Sequence, residues 1–487
     1  MVTTRSITVK GGDVVLLVGT LKGAFLLRAP ATRTTWEVGG PYLAGRAVYA
    51  LAHDGRAGRA RIWASAASMH WGAVLVSTDD WGRTWTDPQE ANVKFPVESG
   101  LALKQIWQIT PGRAAEPDTL YCGVEPAALF RSTDDGQTWN VVSGLLDHPH
   151  RPRWTPGGGG LCLHTIVLDP VRAARIWIGV STGGVYRTDD GGRTWKARNV
   201  GIRAEFLPEK YPEFGQCVHK VVQHPERPAT LFLQNHWGLY RSDDSGDSWQ
   251  DVAHGVPSDF GFPMAIHPRE PDTVYVLPLE SDAFRCPPGG KLRVYRTRNG
   301  GRSWQPQSRG LPQHGAYETI LRDAMATDTL DPVGVYFATR NGKLFASRDG
   351  GGSWRLAVEG LPILHGLEHL ILDLGPVTLE GGDVGLHGLQ LAGGRDRARV
   401  QAPVEVGDLG LERRQLVLDP LLTTAHVVAP ARYLTPPADE GRQRRLDLGQ
   451  ARLLGQGLET VPEPVGGAVV LLHDQEIVEG AHAGTNL

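Results

Sequence analysis

The sequence predicts an all-β fold: a seven-bladed β-propeller of four-stranded antiparallel blades, followed by a C-terminal tail outside the propeller. A short box with the pattern Ser/Thr-x-Asp-x-Gly-x-Thr/Ser-Trp occurs six times along the chain, with Asn299 in place of the Asp in the fifth copy. Its closing tryptophans follow one another at intervals of 54, 56, 54, 55 and 50 residues. Repeats of this length are typical of propellers and other repeat folds. The tryptophans are Trp85, Trp139, Trp195, Trp249, Trp304 and Trp354.

A degenerate unit before the first box brings the number of blades to seven. Trp36 lies 49 residues before Trp85 and follows an apolar run at 23–28. This blade has three predicted strands, at residues 14–39, and lacks an inner one. The apolar segment 363–374 predicts that missing strand, so residues 1–374 form a ring that closes without exposed sheet edges.

Each full unit contains four short apolar runs separated by turn residues, which predicts four strands, A to D. In one unit these runs begin at Val218, Thr230, Gly238 and Ser248. The box then forms the C–D hairpin. Its Asp and Ser/Thr side chains bond to nearby backbone, its Gly takes a positive φ, and its Trp packs on the blade. We therefore assign the repeated acidic residues a structural role and not a catalytic one.

The six boxes resemble the Asp-box, or BNR, repeat over residues 14–360. That family includes sialidases, xyloglucanase-type glycosidases, sortilin-like receptors and propellers that assist photosystem assembly. The chain is also similar to bacterial repeat proteins described as glycosyl hydrolases. The resemblance implies a propeller fold and a sialidase- or glycosyl-hydrolase-like function. One propeller scaffold serves enzymes, receptors and assembly factors alike, so fold alone does not assign activity.

Composition favours a globular protein of the cytoplasm. The formal net charge is −3, and there are 61 glycines and 34 prolines in 487 residues. The absence of a basic excess argues against a nucleic-acid partner, and no apolar run approaches a signal peptide or membrane span. The four cysteines do not form a disulfide framework of the small-protein type. We expect no cofactor, no nucleic acid and no membrane partner.

The composition changes after the last box. All fourteen tryptophans lie between Trp36 and Trp354, and no lysine follows Lys343. Residues 375–487 show neither helical nor strand periodicity over most of their length. Three interpretations are open: a small appended domain, a disordered extension, or a segment translated in a non-native reading frame.

Candidate functional residues lie on one face of the ring. In a four-stranded blade, the B–C and D–A connections share a face, and here they are long and irregular, as functional loops usually are. They carry three candidate catalytic carboxyls, Glu125, Asp259 and Glu280, and two candidate ligand-binding residues, His236 and Asp282. Glycoside hydrolysis requires two carboxyl groups about 5 to 10 Å apart, or a tyrosine nucleophile with arginines.

The A strands of several units supply a second set of candidate functional residues. Gln105, His164, His219 and Arg322 fall at equivalent positions in four units, with Phe262 at that position in a fifth. Because strand A is innermost, we predict that these side chains line the channel as a polar ligand-binding ring. Each histidine alone also fits a hydrogen-bonded packing role between blades.

Two Cys-x-His motifs, at Cys162 and Cys217, suggest a Cys₂His₂ metal site. Equivalent residues on neighbouring blades point the same way around the ring, and not toward each other, so we expect no metal.

Two functional hypotheses remain. The first is a carbohydrate-active protein that binds or hydrolyses its ligand at the loop face. The second is a non-catalytic scaffold that binds a protein partner or small ligand on the same face. A deep polar pocket favours the first hypothesis, whereas a broad surface with exposed aromatic residues favours the second.

Overall fold

The computed structural model describes residues 4–68, 72–86, 88, 90–363 and 370–373. The predicted C-terminal extension, residues 375–487, lies outside these described residues. Within them the regular secondary structure is almost entirely β-strand, with one short helix, α1 (Ser143–Leu146), and 3₁₀ turns at Arg56–Gly58, Val97–Ser99, Arg151–Arg153 and Pro288–Gly290. None of the helices in these ranges is long and apolar enough to cross a bilayer.

The strands form seven antiparallel sheets, the blades, in chain order. Blades 1 to 3 contain β1 (Val14–Thr20), β2 (Gly23–Ala29), β3 (Glu37–Tyr42), β4 (Val48–Asp54), β5 (Arg61–Ser68), β6 (Gly72–Thr78), β7 (Gln105–Pro111), β8 (Leu120–Glu125), β9 (Ala128–Ser132) and β10 (Asn140–Val141). Blades 4 and 5 contain β11 (Leu163–Leu168), β12 (Ile176–Val180), β13 (Gly184–Thr188), β14 (Lys196–Ala197), β15 (Val218–His224), β16 (Arg227–Asn235), β17 (Leu239–Ser242) and β18 (Gln250–Asp251).

Blades 6 and 7 contain β19 (Gly261–Ile266), β20 (Val274–Pro278), β21 (Val294–Thr297), β22 (Gln305–Gln307), β23 (Met325–Thr327), β24 (Val335–Ala338), β25 (Leu344–Ser347) and β26 (Arg355–Val358). Six sheets have four strands; blade 2 has three strands in the described residues. There the Thr86 N–H donates to Ser77 O at 2.8 Å, at the position of a fourth strand. The structure confirms the predicted seven-bladed propeller.

The last described strand, β27 (Leu370–Asp373), belongs to blade 1. It pairs antiparallel with β1, in the register Val15 to Asp373 through Val18 to Leu370. Blade 1 thus joins the two ends of the described chain in one sheet, with β27 in the position of strand A. This strand lies within the segment 363–374 that the sequence assigned to that role.

The box hairpins share one hydrogen-bond pattern, shown here for blade 4. Asp190 Oδ1 accepts hydrogen bonds from the Thr188 hydroxyl at 2.8 Å and from the Thr194 N–H at 2.9 Å. The Thr188 hydroxyl oxygen accepts the Gly192 N–H at 2.9 Å. Gly192 has φ +97°, a left-handed conformation that glycine adopts without steric cost. The box is therefore a self-satisfied turn, as predicted.

Arginines from one blade hold the box of the next. The Arg187 guanidinium donates to Ser245 O at 2.8 Å and to Asp247 Oδ1 at 2.9 Å. The indole N–H of Trp177 also donates to Ser245 O, at 2.8 Å. Apolar side chains fill the space between blades, as where Phe232 and Leu239 of blade 5 pack with Met264 of blade 6. These contacts fix the face of the ring that carries the boxes. The loops on the opposite face differ in length and sequence from blade to blade.

Candidate functional site

The loop face carries the B–C and D–A connections of the blades, and it collects the exposed aromatic side chains. In the described part of the chain these are Phe206 (47% exposed), Tyr211 (52%), Phe284 (50%) and Tyr317 (67%). The first two lie between β14 and β15, Phe284 lies between β20 and β21, and Tyr317 lies between β22 and β23. All four belong to connections of blades 4 to 7 on this face.

Side chains from several blades meet at Arg322 in the channel beneath that face. The Arg322 guanidinium lies 5.4 Å from the ring centroid of Trp107, which is on blade 3, and 5.9 Å from that of Phe262, on blade 6. Its Nε donates to His219 O of blade 5 at 2.9 Å. Arg322 and Trp107 are each 8% exposed. The side chain of Arg322 thus connects three blades.

The two predicted channel histidines are buried and neutral. His164 is 0% and His219 2% exposed. Burial is the main reason that both pKa values lie well below the usual 6.5, and the charge of Arg322 lowers them further. Gln105 is half-buried, and its amide donates to Ile106 O at 3.3 Å. The structure thus places Gln105, His164, His219 and Arg322 around the channel, where each hydrogen-bonds within the protein.

The imidazoles differ in how their nitrogens are used. His164 Nε2 lies 2.9 Å from Val218 O and Nδ1 lies 3.0 Å from the Thr165 hydroxyl, so both nitrogens have protein partners. His219 Nδ1 lies 2.6 Å from Gly261 O, and its Nε2 lies 3.6 Å from Cys217 Sγ. A carbonyl oxygen can only accept, so His219 carries its proton on Nδ1, and Nε2 presents a lone pair.

Cys217, His219 and His236 form a compact cluster at the loop face of blade 5. The ligand-type atoms of these three residues all lie within 4.8 Å of one another. Burial raises the pKa of the Cys217 thiol, and the nearby charge of Arg322 opposes that rise. Burial lowers the pKa of His236, while Asp282 acts in the opposite direction.

Three predicted carboxyls lie near this cluster. Asp259 Oδ2 accepts a hydrogen bond from Arg203 Nη2 at 2.9 Å, and Glu280 Oε2 accepts the Gly289 N–H at 3.2 Å. The segments that carry them run side by side, since the Leu279 N–H donates to Phe260 O at 2.9 Å. Asp282 Oδ2 lies 3.6 Å from His236 Nε2. The structure thus gathers four sequence-predicted residues on the loops of blades 5 and 6, namely Asp259, Glu280, Asp282 and His236.

Glu125 stands apart from them on blade 3. Its Oε2 lies 3.2 Å from the Trp107 indole nitrogen, which donates to it, and its side chain is 16% exposed. Gly160 covers it so closely that a Cβ there would lie 2.6 Å from Glu125 Oε1. Glu125 is therefore a partner of the channel tryptophan beneath the glycine-rich loop.

Trp107 and Arg285 also contact the channel residues, and neither was a predicted site residue. Trp107 lies two residues after Gln105 on the same strand, but the strand pairing shifts register between Ile106 and Gln108, so simple alternation does not place it. Arg285 lies 5.3 Å from the Phe262 ring centroid, a contact between the β20–β21 loop and strand β19 that no local pattern reveals.

A cavity of about 390 Å³ lies at the other end of the inner strands. Its lining is largely apolar and includes Ile166, Leu168, Val222 and Ile266. No predicted site residue lines this cavity. We base the candidate site on the loop face, because the polar and exposed aromatic side chains converge there.

Comparison with known proteins places the chain near xyloglucanases. It is 27% identical over 188 residues to a probable oligoxyloglucan-reducing end-specific xyloglucanase of Neosartorya fischeri, a match covering 36% of this chain and 19% of that protein. It is 24% identical over 252 residues to the oligoxyloglucan-reducing end-specific xyloglucanase of Emericella nidulans, covering 44% and 29%. The chain thus matches less than a third of the length of either relative.

A solved structure of similar fold is the GH74 enzyme of Niastella koreensis. It aligns with a TM-score of 0.50 at 17% identity, covering 74% of this chain and 56% of that one. This likeness shows the propeller fold. No family model matches the sequence.

Proposed function

We propose that this propeller binds an oligosaccharide on its loop face and acts on it as a glycoside hydrolase. The observation that carries the proposal is that exposed aromatic rings and exposed carboxylates lie side by side on that face. In the described residues all the exposed aromatic side chains lie there. Exposed rings alone fit the scaffold hypothesis equally, and the adjacent carboxylates favour a saccharide. Exposed apolar area of this kind marks interaction sites. Flat aromatic rings suit the C–H faces of pyranose rings, and they lose little conformational entropy on binding.

A ridge of rings leads from the exposed loops to the carboxylates. Phe206 packs on Trp237 with centroids 4.9 Å apart, and Trp237 packs on His236 at 4.3 Å. The neighbouring acceptors Asp259 and Asp282 are 39% and 59% exposed. Sugar hydroxyls need such acceptors beside the apolar platform, so this part of the face meets both requirements of a saccharide.

Sequence similarity to xyloglucanases supports a saccharide as the ligand and makes xyloglucan oligosaccharides the first compounds to test. Asp259 and Glu280 are the proposed catalytic carboxyls, because their chain segments run side by side at the ligand face. Glu125 fits this role less well, because it is 16% exposed and engaged by Trp107.

Calorimetric titration of the full chain with xyloglucan oligosaccharides tests binding. We expect a Tyr211→Ala/Phe206→Ala variant to lose at least about tenfold in affinity, since stacking of an aromatic ring on a ligand is worth roughly 1–3 kcal/mol. Val171→Ala is the matched control, because Val171 is 74% exposed in the β11–β12 connection on the box face. Equal affinity in the two variants would place the ligand elsewhere.

Release of reducing ends tests hydrolysis. Asp259→Asn and Glu280→Gln should bind the oligosaccharide and fail to cleave it, whereas Glu125→Gln should retain cleavage. If neither xyloglucan nor other plant and bacterial glycans bind the wild-type chain, the proposal is wrong, and the exposed rings belong to a protein interface instead.

A further inference from the structure

We propose that Cys217, His219 and His236 form a binding site for a thiophilic divalent cation, with zinc as the best-matched ion. In the part of the chain that the structure describes, their ligand-type atoms lie within 4.8 Å of one another. One thiol and two imidazoles are the ligand types that zinc binds in proteins. The site shares His236 and Asp282 with the proposed saccharide surface. Metal binding and saccharide binding are measured separately, so either proposal can fail without the other.

The distances match a tetrahedral zinc ion. Zinc–sulfur and zinc–nitrogen bonds of about 2.3 and 2.0 Å at a tetrahedral angle place sulfur and nitrogen about 3.5 Å apart. Cys217 Sγ and His219 Nε2 are 3.6 Å apart. Backbone pairing holds the third residue beside them, because the His236 N–H donates to Cys217 O at 2.9 Å. A small rotation of the His236 side chain then completes the three-ligand set.

The surrounding contacts orient the imidazoles as metal ligands. His219 Nδ1–H donates to Gly261 O at 2.6 Å, which fixes the tautomer and directs the Nε2 lone pair at Cys217. Metal-binding histidines usually donate their other N–H to a carbonyl or carboxylate in this way. Asp282 Oδ2 lies 3.6 Å from His236 Nε2 and can serve the second imidazole similarly. The Cys217 thiolate and the Asp282 carboxylate supply two negative charges for a divalent ion, and the nearby Arg322 and Arg285 guanidinium groups oppose them.

The preceding blade carries the same motif without this arrangement. Cys162 and His164 repeat the spacing of Cys217 and His219, but both His164 nitrogens already have protein partners, Val218 O and the Thr165 hydroxyl. The equivalent B–C loop position after β12 holds Ser181 and not a histidine. Cys162 and His164 therefore provide an internal control, namely a Cys-x-His motif whose side chains are not arranged to bind a metal ion.

Three protein ligands leave a fourth coordination position. Structural zinc sites are closed by four protein ligands, whereas sites that act on a ligand keep one position for water or substrate. Cys217 is partly exposed and the His236 side chain is 19% exposed, so the fourth position is reachable from the loop face. Thiolate and imidazole ligands disfavour Mg²⁺ and Ca²⁺, which prefer oxygen.

The test uses the full chain without a polyhistidine tag, stripped with a chelator and titrated with Zn²⁺ and, separately, Co²⁺. We expect one equivalent of Zn²⁺ to bind and raise the melting temperature. Co²⁺ should give a thiolate-to-cobalt charge-transfer band together with visible bands of a four-coordinate ion. Cys217→Ser should abolish the charge-transfer band, and His236→Ala should weaken Zn²⁺ binding at least tenfold. Cys162→Ser should change neither, and Mg²⁺ should not compete.

A Cys217 thiol that hydrogen-bonds to His219 without binding metal is the rival explanation. It predicts no cobalt–thiolate band at any Co²⁺ concentration that leaves the protein folded, and that result would overturn the proposal. A band that survives in Cys217→Ser would also overturn it, because the sulfur ligand would then be another cysteine.

Discussion

The Arg322 guanidinium lies 5.4 Å from the Trp107 ring centroid, so a cation–π contact joins blade 7 to blade 3 across the channel. The residues are 215 positions apart in sequence. The Arg322 Nε also donates to His219 O on blade 5 at 2.9 Å. The Arg322 guanidinium also lies 5.9 Å from the Phe262 ring centroid on blade 6, so this one side chain of blade 7 contacts blades 3, 5 and 6.

Replacing Arg322 with Leu should lower the free energy of unfolding by about 2 kcal/mol, the worth of a desolvated cation–π contact. The loss leaves His219 O with one partner fewer and breaks the link to Trp107. Arg309→Ala is the control, since Arg309 is 76% exposed and its pair with Asp349 spans 3.6 Å. Urea unfolding of both variants measures the difference. Equal midpoints would show that Arg322 adds no net stability to the channel.

The box acids should be replaceable by Asn but not by Ala. Asp190 accepts three hydrogen bonds, from the Thr188 hydroxyl and from the Thr194 N–H and hydroxyl. Asp190→Ala removes all three acceptors, so we expect a loss of about 1–2 kcal/mol, as for helix caps of similar design. Asp190→Asn should cost less than half of that. Blade 6 supplies the precedent, because Asn299 accepts the Ser303 N–H at 3.0 Å. Chemical unfolding measures the stability of the two variants. Equal losses of unfolding free energy would mean that the Asp charge, and not the geometry of its hydrogen bonds, stabilises the box.

The blades were predictable because each box contains the residues that its turn requires, and because the boxes recur at nearly constant intervals. Alignment of the A strands likewise predicted that Gln105, His164, His219 and Arg322 occupy equivalent positions along the channel. The sequence could not show that the Arg322 side chain crosses the axis, since that contact depends on residues from distant blades. Nor could it separate Cys217 from Cys162. The two motifs read alike. They differ in the hydrogen-bond partners of their histidines and in His236, which stands where the preceding blade has Ser181.

Low pH should destabilise the propeller because it protonates the Asp side chains of the boxes. A hydrogen bond from Thr84 is the main cause that lowers the pKa of Asp80 to about 2, and a bond from Thr138 does the same for Asp134. A carboxyl whose pKa is lower in the folded state stabilises the fold above its unfolded pKa of about 3.9. That stabilisation is complete above about pH 4 and is lost as the pH falls toward 2.

An Asp80→Asn/Asp134→Asn variant removes two of these titrations. Its unfolding free energy should therefore fall less steeply than that of the wild type between about pH 4 and 2, although it begins from a slightly lower value at neutral pH. Urea titrations at a series of pH values measure the slope. The same slope in both proteins would assign acid sensitivity to groups outside the boxes.

Strand β27 should be required for a stable ring. It pairs with β1 over four residues, Val15 to Val18, and so covers an edge of the strand whose other side pairs with β2. A chain ending at Leu361 lacks β27 and leaves that edge of β1 open, and an uncovered edge of apolar strand invites pairing between molecules. We expect this chain to melt at lower temperature and to aggregate with increasing concentration. A chain ending at His387 retains β27 and should behave as the full-length protein does. Thermal melts with light scattering compare the two, and identical behaviour would show that blade 1 is stable with three strands.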